Sequence, residues 1–316
     1  MSPRTVYFGT PEMSAEVLMG LLAAGLDLCA VVSQPDRPKG RGRKNAEATP
    51  VHQAADAAGI SVLQPEKAKD PEFLDKLQNL KAELFLVFAF GQILPQRLLD
   101  MPRLGSYNAH PSLLPVYRGP APLNWAILNG DTRSGMSIQR MRFKLDSGPI
   151  AWRKEFDLDE RETVPSLTAR VIPMAVEGFM AVVDALEHGK LALEEQDETR
   201  VSMAPMLKRE DGIIDWSGSA VHIDRQVRGL VPWPAAVAWL GGDLVTVYQA
   251  EPRERTQAAA PGEVLQVGSQ GLLVACGEGA LLIQELQRQG KKRMSAQAFL
   301  CGCRLCPGDR FDPGPP

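Results

Sequence analysis

The chain has 316 residues, 44% of them hydrophobic, a net charge of −3 and five cysteines. That is ample apolar material for a buried core and, by length, for two domains, while the mild acidity excludes a protein that coats nucleic acid non-specifically and leaves room for one local basic patch. The cysteines, three of them crowded at Cys301, Cys303 and Cys306, make no disulfide framework of the kind small secreted domains use, so a reducing cytoplasm is the expected setting.

The opening stretch MSPRTVYFGTPEM has no charged region followed by an apolar one, and no run of roughly 18 apolar residues is expected, so neither export nor a membrane span is anticipated. TVYFG reads as a strand entering a Gly-Thr-Pro turn. In SAEVLMGLLAAG, Val17, Leu21 and Leu22 fall at helical spacing before Gly25 stops the helix. LDLCAVVS is a second strand, PVHQAADAAG a helix, ISVLQ a third strand and PEFLDKLQNL a helix. AELFLVFAF is the most apolar run and reads as a central strand, and GSYNAH, GMSIQRM and GPIAWRKEF supply further strands. Strands alternating with helices predict an α/β fold with a mainly parallel sheet, helices on both faces and ligands at the carboxyl ends of strands. We place this domain at residues 1–189. Its last helix, from Thr163 to about Gly189, is expected to kink or break at Pro173.

Residues 190–209, charged and weakly periodic, are expected to be an extended linker. In 210–316 one helix carries Ile223, Val227 and Leu230 on a single face and ends at Pro232. The Val- and Leu-rich runs separated by Gly turns then predict a small antiparallel barrel.

The segment NAHPSLLPVYRG holds the chemistry. Period 2 along a strand puts Asn108 and His110 on one face at its carboxyl end, and Pro111, Pro115 and Gly119 fix the loop that follows. An amide can donate to a carbonyl oxygen that is becoming an oxyanion, and an imidazole can donate or move a proton. Asp146, in LDSGPI, is the carboxylate that can orient and charge the imidazole. Taken singly each residue suits a turn cap or a core position, and only the set is informative. Gln139 is a further candidate to face the cleft. The four histidines show no metal-ligand spacing, and no metal is expected.

With FGTPEMSAEVL, QPDRPKGRGRK, FAFGQILP, NAHPSLLPVYRGPAPLNWAILNGD, LDSGPI and DWSGSAVHIDRQVRGLVPWPAA, the chain resembles the bacterial methionyl-tRNA formyltransferases along nearly its whole length. The Asn-x-His, SLLP and Asp set alone resembles the wider 10-formyltetrahydrofolate-dependent family, glycinamide ribonucleotide formyltransferase included. The resemblance implies a Rossmann-like catalytic domain, an OB-like carboxy-terminal barrel, 10-formyltetrahydrofolate as formyl donor and initiator methionyl-tRNA as acceptor. It implies catalytic roles for Asn108, His110 and Asp146, with the proton carrier left open between the last two. It also implies a folate pocket lined by Phe90, Gly91, Gln92, Ile93 and Leu94, together with Ser112, Leu113, Leu114 and Pro115. Where many relatives have Tyr this chain has Phe90, so no hydroxyl contact is implied there.

QPDRPKGRGRK sets Arg37, Lys39, Arg41, Arg43 and Lys44 against the single Asp36 in a stretch that Pro38, Gly40 and Gly42 deny regular structure. Such a loop attracts phosphate. The resemblance implies that it grips the tRNA acceptor end, Arg41 foremost, with Lys208 and Arg209 extending the track and Arg225 and Arg228 as weaker additions. The basic loop and the barrel favour tRNA over a small-molecule amine, and the intact triad disfavours a non-catalytic tRNA binder. The expected state is a monomer.

Overall fold

The computed structural model describes residues 2–38 and 46–312. It divides into two compact units: Met1–Pro122, Arg133–Asp157 and Thr168–Ala204 form the first, and Leu123–Thr132, Leu158–Leu167 and Pro205–Pro316 the second.

The first half of the chain runs β1 (Thr5–Gly9), α1 (Glu12–Ala23), β2 (Leu28–Val32), β3 (Arg37–Pro38), β4 (Ala46–Glu47), α2 (Pro50–Ala57), β5 (Val62–Leu63), α3 (Pro71–Asn79), β6 (Leu84–Phe88), α4 (Gln96–Leu99) and β7 (Ser106–His110). It continues with α5 (Pro122–Asn129), β8 (Arg133–Arg140), β9 (Ile150–Asp157) and α6 (Val164–Glu187). Seven strands form one sheet in the order β5-β2-β1-β6-β7-β8-β9, parallel through β7 and antiparallel at β8 and β9. This is the Rossmann-like arrangement expected of the amino-terminal domain. Every residue of β1 and β6 is buried, which is why both read as unbroken apolar runs rather than alternating ones. The expected third strand, ISVLQ, shrinks to the two-residue edge strand β5.

Of the kink or break expected at Pro173, the break is corrected, and so is the expectation of no long apolar stretch. Helix α6 runs unbroken through Pro173. Val171, Ala175, Phe179 and Val182, at spacings of four, four and three, are buried, and a side chain at Gly178 would strike Ile138 and Trp152. A seam this close-packed outweighs the roughly 3 kcal/mol that an interior proline costs a helix. The helix is also long and apolar enough, by length and composition, to cross a membrane, although no such stretch was expected. Its one-sided burial is that of a core helix.

Residues 190–204, the first part of the expected linker 190–209, are bonded to the first unit. Glu194 bridges Ile150, Met203 bridges Arg118, and backbone N–H groups of Ala204 and Arg118 donate to Arg118 and Ser202 carbonyls at 2.8 and 2.9 Å. The segment is a strap bound to the first unit.

The second unit adds α7 (Ala220–Leu230), β10 (Ala236–Leu240), β11 (Asp243–Arg253), β12 (Val264–Gly268), β13 (Gly271–Ala275), β14 (Ala280–Arg288), β15 (Met294–Ser295), α8 (Ala296–Cys301) and β16 (Phe311–Asp312). Its antiparallel sheet runs β12-β13-β14-β11-β10-β16, with β15 beside β14. The two edges meet at a bridge between Glu263 and Arg310, where Phe311 N–H donates to Gly262 O at 2.8 Å, giving the coiled half-barrel of an OB-like domain. The Ser219 hydroxyl caps α7 by accepting from His222 N–H. Ile223 and Val227 of this helix enter the barrel core, and Leu230 is buried as well.

Candidate active site

Strand β7 lies between β6 and β8, with Val87 level with Asn108, so β7 reaches two residues past that point to His110. Across the antiparallel pair Asn108 faces Gln139 and His110 faces Ser137, which puts all four side chains on one face of the sheet. His110 is 4% exposed, and its Nε2 lies 2.8 Å from the Tyr117 carbonyl oxygen. A carbonyl can only accept, so Nε2 carries a hydrogen and Nδ1 is the nitrogen that gains or gives up a proton. Nδ1 faces Oδ2 of Asp146 at 3.7 Å.

Asp146 sits in the turn between β8 and β9 with φ of +47°, a left-handed conformation that Asp tolerates better than most residues. Its Oδ2 accepts from Gly119 N–H at 2.9 Å and its Oδ1 from Gln139 Nε2 at 2.8 Å. Asn108 is half-buried, and its amide has no hydrogen-bond partner among the described residues.

The loop after His110 is held from several sides. Ser112 Oγ donates to Val116 O at 2.6 Å, and Ser137 Oγ donates to Ser112 O at 2.7 Å while accepting from Leu114 N–H. Ser112, Leu114 and Pro115 are buried, and the half-buried Leu113 lies over Gly135. Gly119 has φ of +126°, and a Cβ there would stand 2.5 Å from Ala204 O. Only glycine fits that place, and its N–H holds the Asp146 carboxylate.

FAFGQILP turns sharply at Ala89 and Gly91, with φ of +51° and +84°. The Phe90 carbonyl accepts from Thr10 Oγ1 at 2.9 Å and Gln34 Nε2 at 3.0 Å, and its ring packs edge-on against Phe8 in the core, beside Leu94. Gln92 is pinned by its side chain to Ala68 N–H and Pro65 O. Ala89, Gly91 and Ile93 are the exposed members, Ile93 at 81%.

Sequence reasoning missed a polar network in the strap. Gln196 Nε2 donates to the carbonyls of Asp146 and Gly148 at 2.9 and 2.7 Å, and its Oε1 accepts from Arg118. Arg118, 3% exposed, pairs with Glu198 at 2.7 Å. Donation from Arg118, and next from Lys144, holds the Glu198 carboxyl down at about 2. Ser202 Oγ accepts from Tyr117 N–H, the residue whose carbonyl takes the His110 hydrogen. The strap therefore supports both loops that meet at His110. Nothing local marks these residues, since Arg118 and Gln196 are 78 positions apart.

Of the basic loop, Arg37 forms the base of a hairpin with β4, opposite Glu47, and pairs with Glu66 at 2.6 Å. Lys39, Arg41, Arg43 and Lys44 lie outside the described residues. Asp36 anchors the hairpin, its carboxylate accepting from Thr49 N–H at 3.1 Å, Gln64 Nε2 at 2.6 Å and His52 Nδ1 at 2.9 Å. Burial pushes this carboxyl up, but donation from Gln64, His52 and Thr49 outweighs it and leaves the group below its ordinary range. In the second unit Lys208 and Arg209 are exposed, whereas Arg228 is tied to Asp224 at 2.8 Å and to the Glu162 carbonyl at 2.7 Å. Arg225 is half-buried against Gly130. All five cysteines are free, and among the described residues no group of three His, Cys, Asp or Glu could hold a metal ion.

Residues 4–183 match the formyl transferase family and residues 206–304 match the formyl transferase C-terminal domain. The methionyl-tRNA formyltransferase of Geobacter sulfurreducens is 44% identical over 308 residues, covering 98% of this chain and 96% of that protein. That of Desulfotalea psychrophila is 40% identical over 304 residues, 96% of this chain and 94% of that protein. Among solved structures, HypX from Aquifex aeolicus in complex with tetrahydrofolic acid superposes with a TM-score of 0.68 at 17% identity, over 95% of this chain and 47% of its own. WlaRD, a sugar 3N-formyl transferase, superposes with a TM-score of 0.65 at 15% identity, over 92% of this chain and 100% of its own. At such identities these structures attest the fold.

Proposed function

The chain belongs to the formyl transferase family and, within it, to the methionyl-tRNA formyltransferases; from that premise we propose that it moves the formyl group of 10-formyltetrahydrofolate to the α-amino group of methionine on initiator methionyl-tRNA. The observation that carries the residue assignment is the meeting of Asp146, His110 and the unpartnered amide of Asn108 at one strand end.

The neutral amine attacks the formyl carbon and a C–N bond forms. The carbonyl electron pair moves onto oxygen, where Asn108 Nδ2–H and His110 Nδ1–H donate to it. Such donors are worth roughly 10²–10³ in rate each. When the oxyanion collapses, the bond from the formyl carbon to the folate N10 breaks as His110 gives its Nδ1 proton to that nitrogen, and the proton lost by the amine then restores Nδ1. The Asp146 carboxyl group, 3.7 Å from Nδ1, is placed to keep the ring aimed at the reacting atoms during this relay. The folate is a co-substrate, consumed at each turnover. We assign its pocket to the expected segments 90–94 and 112–115. The exposed Gly91 and Ile93 and the half-buried Leu113 are free to touch it. Phe90, Leu94, Ser112, Leu114 and Pro115 shape the wall from within.

Arg37, Lys39, Arg41, Arg43 and Lys44 are assigned to the acceptor end of the tRNA, with Lys208 and Arg209 as further phosphate contacts. The working form is taken as a monomer in the cytoplasm, without membrane association, a setting that five unpaired thiols support. The catalytic domain is taken as residues 1–189 and the tRNA-binding domain as 210–316. The test is direct: purified protein, initiator Met-tRNA and 10-formyltetrahydrofolate should yield formyl-Met-tRNA. Tight tRNA binding without turnover, or transfer only to a small amine, would contradict the assignment.

A further inference from the structure

Gln139 is 2% exposed in the middle of the sheet, where a buried amide is costly unless it is bonded. Both ends of that amide hold the same turn. Nε2 donates to Asp146 Oδ1 at 2.8 Å, and Oε1 accepts from Gly148 N–H at 3.0 Å. A Cβ at Gly148 would lie 1.7 Å from Arg140 O, so the turn is pressed against the end of β8 with no slack. Gln139 takes Oδ1 and Gly119 takes Oδ2, so the carboxylate cannot rotate, and the oxygen bonded to Gly119 is the one facing His110 Nδ1. A neutral donor suits this place. A lysine or arginine would pair with Asp146 and cancel the charge that His110 feels. His110 on β7 lies 3.7 Å from the Asp146 carboxylate, and the charged groups nearest to it along the chain are Lys144, two residues before it, and Arg118, beside its partner Gly119. Of these, Lys144 and Arg118 are both paired with Glu198.

We propose that Gln139 is a positioning residue for formyl transfer, fixing the rotation of the Asp146 carboxylate so that Oδ2 faces His110. The inference rests on the function proposed above. It is read from kcat and KM measured across pH in the full-length protein, for wild type, Gln139→Met and Gln139→Glu. Gln139→Met loses the donor, so Asp146 rotates and holds a proton more readily. Its kcat should fall by about tenfold or more, with both KM values within a few-fold, and the loss should deepen toward acid. Gln139→Glu keeps the acceptor for Gly148 and can donate only while protonated. Its loss should deepen toward alkali, where two carboxylates oppose each other. Opposite slopes in the two variants support the role. Losses by one factor at every pH, or no loss, overturn it. Should Gln139→Met fail to fold, the slope of Gln139→Glu decides alone. A wild type that forms no formyl-Met-tRNA would refute the proposed function instead.

Discussion

Nδ1 of His110 stands 3.7 Å from Oδ2 of Asp146 while its Nε2 is tied at 2.8 Å to the Tyr117 carbonyl. The first distance is too long for a direct hydrogen bond and within the range of an ion-pair contact. The imidazole is thus oriented by the backbone on one side and faced by the Asp146 carboxylate on the other. Asp146→Asn removes the charge, and asparagine accepts the left-handed φ of +47°. We expect kcat to fall roughly 10²–10⁴-fold with tRNA affinity within a few-fold, and a modest loss of thermal stability because asparagine can accept from only one of Gly119 N–H and Gln139 Nε2. Steady-state kinetics beside a tRNA filter-binding titration would check this, and a kcat within a few-fold of wild type would remove Asp146 from the chemistry.

Asn108→Ala makes a separate prediction. Because this amide has no partner among the described residues, its removal should leave the melting temperature within a degree or two while kcat drops about 10²–10³-fold. A large loss of stability would instead mark Asn108 as a structural residue.

How much of this was legible in the sequence depends on the range of the interaction that decides each feature. The period of a strand put Asn108 and His110 on one face, and the burial of every residue in β1 and β6 matched their continuous apolar runs. Residues 190–204 read as linker because their tie is through Gln196 and Ser202 to a loop about 80 positions away, which composition cannot register. Pro173 signalled a break that the packing of its helix overrode. Asp36 read as a stray acid among cations, yet three donors make it the anchor of the hairpin.

Gly119→Ala tests the coupling of loop and carboxylate. The new Cβ would meet Ala204 O at 2.5 Å and strain a φ of +126°, a cost of about 1–3 kcal/mol, and would push the backbone N–H away from Asp146 Oδ2. Denaturant melts should show the loss of stability, and kcat should fall further than the unfolded fraction explains.

The strap should loosen in acid. With its carboxyl held near 2, against an ordinary 4.5, Glu198 adds stability that is present above about 4.5 and lost as pH falls toward 2. The group is exposed, so the effect is local rather than global. Amide exchange at Arg118 and Ala204, corrected for intrinsic rates, should speed up across that window in wild type. In Glu198→Gln it should be faster already at neutral pH and show no such step.

Asp36→Ala sets electrostatics against anchoring. Deleting one negative charge from a basic hairpin should, on charge alone, tighten phosphate binding. Asp36 also joins Thr49, Gln64 and His52, and freeing the β3–β4 pair from them makes holding that pair against tRNA more costly. Three hydrogen bonds to one partly buried carboxylate outweigh a single charge screened within roughly 8–10 Å of salt solution. The variant should therefore bind initiator tRNA several-fold more weakly despite its extra positive charge. Its log Kd against log salt slope should stay unchanged, because the phosphate contacts themselves are retained. Arg41→Ala should also weaken binding, but with that slope reduced by about one. Tighter binding by Asp36→Ala would show that charge, not anchoring, governs how this hairpin meets its partner.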